Sequence, residues 1–274
     1  MNSLNYLFRL SAFIILFSVT GSCSSGKYAA TNKSYKKQVK AFAKTLRQYP
    51  LKDSIKTSGE WVGTTNLGMR KANFVIIHHT AQNSCDQTLK TFTLPRTQVS
   101  AHYVICKDGT IHHMLNDYLR AWHAGNSRWG NLTDINSASI GIEIDNNGFE
   151  VFTDQQINSL LILLGALKKN YAIPAPNFIG HADIAPTRKN DPNVTFPWKQ
   201  LADKGFGLWY GDTSKVVLPQ NFSSLQALRI IGYDVRDTSA AIRAFKRHFL
   251  TVDKSTTLTD ADKKILYDLS QKYQ

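Results

Sequence analysis

The chain has 274 residues, enough for one large domain or two smaller ones with cores of their own. Its 42% hydrophobic and 11% aromatic content describes a globular protein and excludes a disordered one. The formal net charge of +13 points to an anionic partner. The charge is spread along the chain, with no lysine- or arginine-dense run and no zinc-finger or helix-turn-helix signature, which sets nucleic acid aside as that partner.

The N-terminus bears on the compartment. Arg9 precedes Leu10 to Val19, an almost wholly apolar run of about ten residues, followed by Thr20-Gly21-Ser22-Cys23. A charged start, a short apolar core and small residues are the marks of a secretory signal over residues 1–22. The run is shorter than the roughly 20 apolar residues a spanning helix needs. Cys23 is placed like the cysteine of a bacterial lipobox, which is lipidated and becomes the mature N-terminus, although Thr20 stands where that pattern prefers leucine. Plain secretion is the alternative. Export leaves Cys85 and Cys106, which fit a disulfide closing a loop of about 20 residues or two free thiols equally well. They lack Cys-x-x-Cys spacing, which argues against a cysteine metal site.

Residues 23–59 read as a tether with one short helix. Ser24 to Lys37 is polar and small with no apolar period, while Val39, Phe42, Leu46 and Tyr49 recur at helical spacing before Pro50. Phe74 to Ile77 is an unbroken apolar run ending at His78-His79, as in a strand buried on both faces of a central sheet. Ser84 with Gln87 has the spacing of a capping box that opens a helix. Ala101–Cys106 and Thr110–Leu115 read as strands joined by an Asp108-Gly109 turn. Ser139–Asp145 is a further strand, with Ile140, Ile142 and Ile144 on one face and Gly141, Glu143 and Asp145 on the other. Thr153 and Gln156 form a second capping box before Ile157, Leu160, Leu161, Leu164 and Leu167 at helical spacing. Strands alternating with amphipathic helices give an α/β domain, a central mixed sheet flanked by helices, over residues 60–210. Residues 211–274 show three short helical patterns, the last opened by Thr259 and Asp262, and read as a small all-helical domain behind a polar linker.

The stretch from Gly180 to Asp191 packs a histidine, a lysine and two carboxylates together, and Pro186 and Pro192 bracket its second half. Proline disfavours helix at and before its own position, and the polar content disfavours a buried strand, so the stretch reads as a rigid loop carrying function. His78 ends a buried strand, and strand alternation sends His79 to the opposite face, so one of the two at most joins a given site. With His181 and Asp191 that makes two histidines and a carboxylate, leaving a fourth position open as in a catalytic zinc site.

Five segments in order carry a family likeness: Val-Ile-Ile-His-His-Thr-Ala at 75–81, Ser-Ala-His-Tyr at 100–103, Ala-Trp-His-Ala-Gly at 121–125, Ser-Ile-Gly-Ile-Glu at 139–143, and the stretch 180–192. Together they resemble the zinc-dependent N-acetylmuramoyl-L-alanine amidases of the AmpD and AmiD type, cousins of peptidoglycan recognition proteins. Phe196-Pro197-Trp198 extends the likeness towards the lipoprotein members. The resemblance implies that His78, His181 and Asp191 hold one zinc ion, that Glu143 activates the attacking water, and that Lys189 stabilises the oxyanion. It matches His102, Trp122, His123 and Arg188 to substrate-binding positions, with loop packing or hydrogen bonding behind the metal as the competing reading. Asp183 reads as a brace for the loop, and His112 and His113 as a solvated face. Thr187 and Asn193 stand where relatives often carry glycine.

The implied reaction is hydrolysis of the amide between the lactyl group of N-acetylmuramic acid and L-alanine in peptidoglycan or its fragments. The competing functions are a non-catalytic recognition module and a zinc peptidase cutting within the stem peptide. The tail resembles a small peptidoglycan-binding domain that would raise the local substrate concentration. A lipid on Cys23 would place the enzyme on a membrane facing the wall, the outer membrane facing the periplasm.

Overall fold

The computed structural model describes residues 26–46, 64–251 and 255–274. The expected signal segment and Cys23 lie outside the described residues. The chain divides into two compact units, 1–63 and 64–274. In the first, α1 runs from Ala29 to Thr45 and buries none of its residues. The helix thus begins well inside the stretch expected to be an unstructured tether. Its lysines, alanines and glutamine are good helix formers, and propensity of that kind leaves no apolar period to read.

The second unit is built on a five-stranded mixed sheet in the order β3-β2-β4-β1-β5. The strands are β1 (Phe74–His79), β2 (Tyr103–Ile105), β3 (Ile111–His113), β4 (Ser139–Ile144) and β5 (Phe178–Gly180). β1 runs parallel to both β4 and β5, β2 runs parallel to β4, and β3 closes the edge antiparallel to β2. The mixed α/β architecture expected from the sequence is present. The three-residue β5 was not foreseen, because so short a segment carries no period of its own.

Alternation along the strands divides the core. Val75, Ile77, Ile140, Ile142 and Ile144 join Leu160, Leu163, Leu164 and Leu167 of α4 (Asp154–Tyr171) on one face. Thr153 and Gln156 close the expected capping box at the start of α4, each side chain accepting the other's backbone N–H at 3.1 and 3.0 Å. On α2 (Cys85–Thr93), Ser84 accepts the Gln87 N–H as expected, while the Gln87 side chain accepts from Asn83 rather than from the cap residue. Cys85 and Cys106 form a disulfide, which decides between the two states the sequence left open and ties α2 to the end of β2.

The opposite face of the sheet carries both the polar site and the helical tail. Ile76 and Ile179 from the sheet pack with Leu228 and Ile231 of α7 (Ser224–Ile231), Phe245 and Phe249 of α8 (Thr238–Leu250), and Leu266 and Leu269 of α9 (Asp260–Lys272). The sequence divides the chain near residue 211; in the structure these helices share one apolar core with the sheet, and residues 64–274 make a single compact unit. Amphipathic helices of this length bury their apolar stripe against whatever lies nearest, and here that is the sheet.

Candidate active site

Parallel strands deliver the site. His78 lies in register with Glu143 across the β1–β4 ladder, and Gly180 pairs with Ile77 at the end of β5, so His181 emerges beside His78. Open sheets with parallel strands bind ligands beyond the carboxyl ends of those strands, where loops diverge. A groove of about 310 Å³ opens there, lined among others by His78, Trp122, Glu143, His181, Lys189 and Asp191.

The stretch after β5 is not wholly a loop. His181 to Ile184 form α5, a single buried helical turn, and the irregular segment begins at Ala185. Pro186 lies beyond the turn, so its influence ends the helix rather than forbidding it. Ala182 N–H donates to Asp191 O at 2.7 Å, which closes the segment on itself and brings Asp191 back beside His181. Asp183 braces the turn as expected: it accepts from Gly180 N–H at 2.7 Å, Tyr233 Oη–H at 2.8 Å and His248 Nδ1 at 2.8 Å. Tyr233 and His248 belong to the helical tail, which thereby holds the turn that carries His181.

Three side chains converge. His78 Nδ1 and His181 Nδ1 are 2.9 Å apart, and each is 3.0 Å from Asp191 Oδ2. All three residues are buried, exposed by 1%, 3% and 6%. Burial, reinforced by the neighbouring His181, pushes His78 down to about 4. Burial by itself would raise Asp191, but the adjacent His181 and His78 outweigh it and hold the carboxyl well below its usual range. His181 Nε2 donates to Ala124 O at 3.1 Å, which leaves Nδ1 as the ring nitrogen facing the other two groups.

Glu143 Oε1 lies 4.0 Å from His78 Nδ1, while Glu143 Oε2 is buried without a hydrogen-bond partner among the described residues. Burial pushes Glu143 up to about 8; the Asp191 charge adds to the rise and Lys189 opposes it. A carboxyl shifted by desolvation beside a charged partner in a cleft is the environment of a general base. Lys189 lines the same groove, half-buried.

The remaining expected residues divide. Trp122 lies on the groove, half exposed. Arg188 lines it too, yet donates to Asn126 O at 2.8 Å and Ala124 O at 2.6 Å, which fixes the 124–126 loop. His123 is buried, lines the floor of the groove, and has its Nδ1 3.0 Å from His78 Nε2. His102 is fully buried and not part of the groove lining; its Nδ1 accepts Gly141 N–H at 3.0 Å. By strand alternation it lies on the same face as Glu143, since Tyr103 and Ile105 point into the α4-side core, and its ring packs beside His123 with centroids 6.0 Å apart.

His79 faces away from the convergence, as strand alternation requires, and its Nδ1 accepts Asn193 N–H at 3.1 Å. Asn193, noted from the sequence only as a departure from pattern, also donates to Glu150 O at 3.1 Å and holds the segment after Asp191. His113 is exposed, as expected, and stacks on Tyr103 with ring centroids 4.4 Å apart. The residues that sequence reasoning missed are Asn136 and Ser139, small polar groups whose only sequence signal was their position before Gly141.

His78 and Glu143 from parallel strands, with His181, Lys189 and Asp191 from the segment after β5, line one groove, and three of them could hold a metal ion, the arrangement of a metal-assisted hydrolase. The family model for N-acetylmuramoyl-L-alanine amidase matches residues 68–194. The N-acetylmuramoyl-L-alanine amidase AmiD of Escherichia coli is 36% identical over 207 residues, 64% of this chain and 74% of AmiD. The 1,6-anhydro-N-acetylmuramyl-L-alanine amidase AmpD of the same organism is 42% identical over 104 residues, 38% of this chain and 57% of AmpD. Among solved structures, AmiD bound to anhydro-N-acetylmuramic acid-L-Ala-D-γ-Glu-L-Lys superposes with a TM-score of 0.68 at 28% identity, covering 80% of this chain and 97% of AmiD. AmpDh3 of Pseudomonas aeruginosa in complex with anhydromuramic pentapeptide gives 0.68 at 30% identity, covering 81% and 99%. The chain belongs to the N-acetylmuramoyl-L-alanine amidase family.

Proposed function

We propose that this amidase hydrolyses the bond between the lactyl group of N-acetylmuramic acid and the L-alanine of the stem peptide, with one zinc ion held by His78, His181 and Asp191. The observation that carries the reading is their convergence: two imidazole nitrogens and a carboxylate oxygen lie 2.9–3.0 Å from one another, with Glu143 beside them. Groups held this close share either protons or a cation, and two histidines with one carboxylate are the donor set of a hydrolytic zinc site. Zinc there supplies a Lewis acid for the scissile carbonyl and lowers the pKa of water.

The chain's own groups do the rest. Glu143, with its unpartnered Oε2, takes a proton from the attacking water and returns it to the leaving L-alanine nitrogen. Lys189 places its charge where the carbonyl oxygen becomes negative. Trp122 offers an exposed ring to the substrate at the groove. Relatives solved with anhydromuramyl peptides support soluble fragments as substrates alongside the wall itself.

The test is a digest of purified peptidoglycan and of anhydromuramyl peptides, read by mass spectrometry. Stem peptides with a free N-terminal L-alanine are the expected product. Alanine left on the sugar identifies a peptidase, and no cleavage of either substrate identifies a recognition module. Equal product after chelation, or from His181→Ala, overturns the zinc reading.

Two further parts of the proposal concern place. A lipid on Cys23 anchors the enzyme in the outer membrane facing the periplasm, and loss of labelled fatty acid from Cys23→Ser tests it. The helical tail adds a contact to the polymer; on α7, Leu225 and Ile230 are 40% and 43% exposed. Replacing both by serine is expected to weaken co-sedimentation with wall while leaving cleavage of soluble fragments unchanged.

A further inference from the structure

The geometry points to His123 as a positioning residue that fixes the tautomer of His78, through a chain of hydrogen bonds anchored on β4. The inference rests on His78 being a metal ligand.

The direction of each proton follows from the far end inward. Ser139 Oγ–H donates to Ile135 O at 2.7 Å, which leaves the Ser139 oxygen as an acceptor for His123 Nε2 at 3.2 Å. A neutral His123 with its proton on Nε2 presents a lone pair at Nδ1, and His78 Nε2 lies 3.0 Å from that atom. His78 therefore donates through Nε2 and carries its lone pair at Nδ1, the atom that faces His181 and Asp191. A ligating histidine needs its other N–H engaged in this way, because the hydrogen bond selects the tautomer and holds the ring plane.

The acceptor is itself held from two sides. The His123 and Ala124 N–H groups both donate to Asn136 Oδ1, at 3.0 and 2.9 Å. Gly141 leaves the room that the His123 ring occupies: a Cβ there would lie 2.4 Å from His123 Cγ. His102 holds the Gly141 strand in place, donating its own N–H to Gly141 O at 3.0 Å and accepting Gly141 N–H on Nδ1 at 3.0 Å. Ala124 O accepts His181 Nε2–H, so the dipeptide His123-Ala124 orients both histidines of the convergence. Asn136, Ser139 and His123 are exposed by 8%, 0% and 8%, so water does not compete for these bonds.

The experiment is the zinc affinity of the purified full chain, measured by competition with a chromophoric chelator, together with the His78 tautomer in zinc-free protein, read from ¹⁵N chemical shifts. In the wild type the His78 proton is on Nε2. His123→Phe, which keeps a ring over Gly141, is expected to weaken zinc binding about 10- to 100-fold and to populate the Nδ1–H tautomer of His78. Ser139→Ala, the milder change, is expected to shift both in the same direction by a smaller factor, and it serves if the phenylalanine variant does not fold. Wild-type affinity together with an unshifted tautomer in whichever variant folds overturns the positioning role and leaves His123 as packing. A wild-type chain that binds no zinc sinks the ligand assignment instead, and the tautomer reading still decides the hydrogen-bond chain.

Discussion

His78 and Glu143 are opposite each other in the register of two parallel strands, and their side chains meet at 4.0 Å on the same face of the sheet. Neither side chain depends on a flexible loop for its position. The pairing places an unpartnered carboxylate oxygen beside the convergence of His78, His181 and Asp191. Glu143→Gln is therefore expected to retain zinc at one equivalent and to lose about 10²- to 10⁴-fold in turnover, the usual range for removing a positioned base. Metal analysis beside steady-state kinetics on an anhydromuramyl peptide checks it, and a variant that retains full turnover rules out the role.

Asp191 is treated differently by the structure, since it touches both histidines. Asp191→Ala is expected to lose metal and activity together, whereas Glu143→Gln separates the two. Added zinc in excess restores part of the activity of Asp191→Ala if binding is the defect, and none if the carboxylate acts in chemistry alone.

Lys189 lines the groove and its charge is felt at Glu143 and His78. Lys189→Met is expected to lower kcat about 10²- to 10³-fold, in the range for one oxyanion donor, with KM and zinc content close to wild type. A change in KM alone assigns the lysine to substrate binding.

Acid should destabilise the metal-free protein through its buried imidazoles. Burial pushes His102 down from 6.5 to about 4. Between those values the unfolded chain holds a proton that the folded chain does not, so the stability present above pH 6.5 is lost as pH falls towards 4. The slope is at most about 1.4 kcal/mol per pH unit for each such group. Urea unfolding at several pH values is expected to show a shallower pH slope in His102→Gln than in wild type, and an identical slope refutes the assignment.

The shared core predicts cooperative unfolding. Phe245 on α8 is fully buried among residues of the sheet and the tail. Phe245→Ala is expected to cost about 3–5 kcal/mol, and to lower a single transition seen by both tryptophan fluorescence and far-ultraviolet circular dichroism. Two separated transitions would mean that the tail folds independently.

Much of this molecule was legible in its residues. The apolar run before His78, the alternation around Glu143 and the capping residues at Thr153 and Thr259 are local signals, set by spacing and by which side chains satisfy a helix end. The candidate ligand set was legible through its likeness to a known family, since residue types and spacing by themselves leave a lone histidine more often structural than ligating. β5 and α5 were not legible: three and four residues are too few for a period, and Asp183 of α5 is held by Gly180 N–H within the turn and by Tyr233 and His248 from far along the chain. The sequence by itself determined the strand alternation and the family likeness that single out His78, Glu143, His181, Lys189 and Asp191 as candidates. Only the tertiary structure decided that Cys85 pairs with Cys106, that His102 is buried off the groove lining, that His123 meets His78, and that the helical tail shares the site's core. The reason is physical: each of those outcomes depends on partners far apart in the chain, which spacing along one segment does not record.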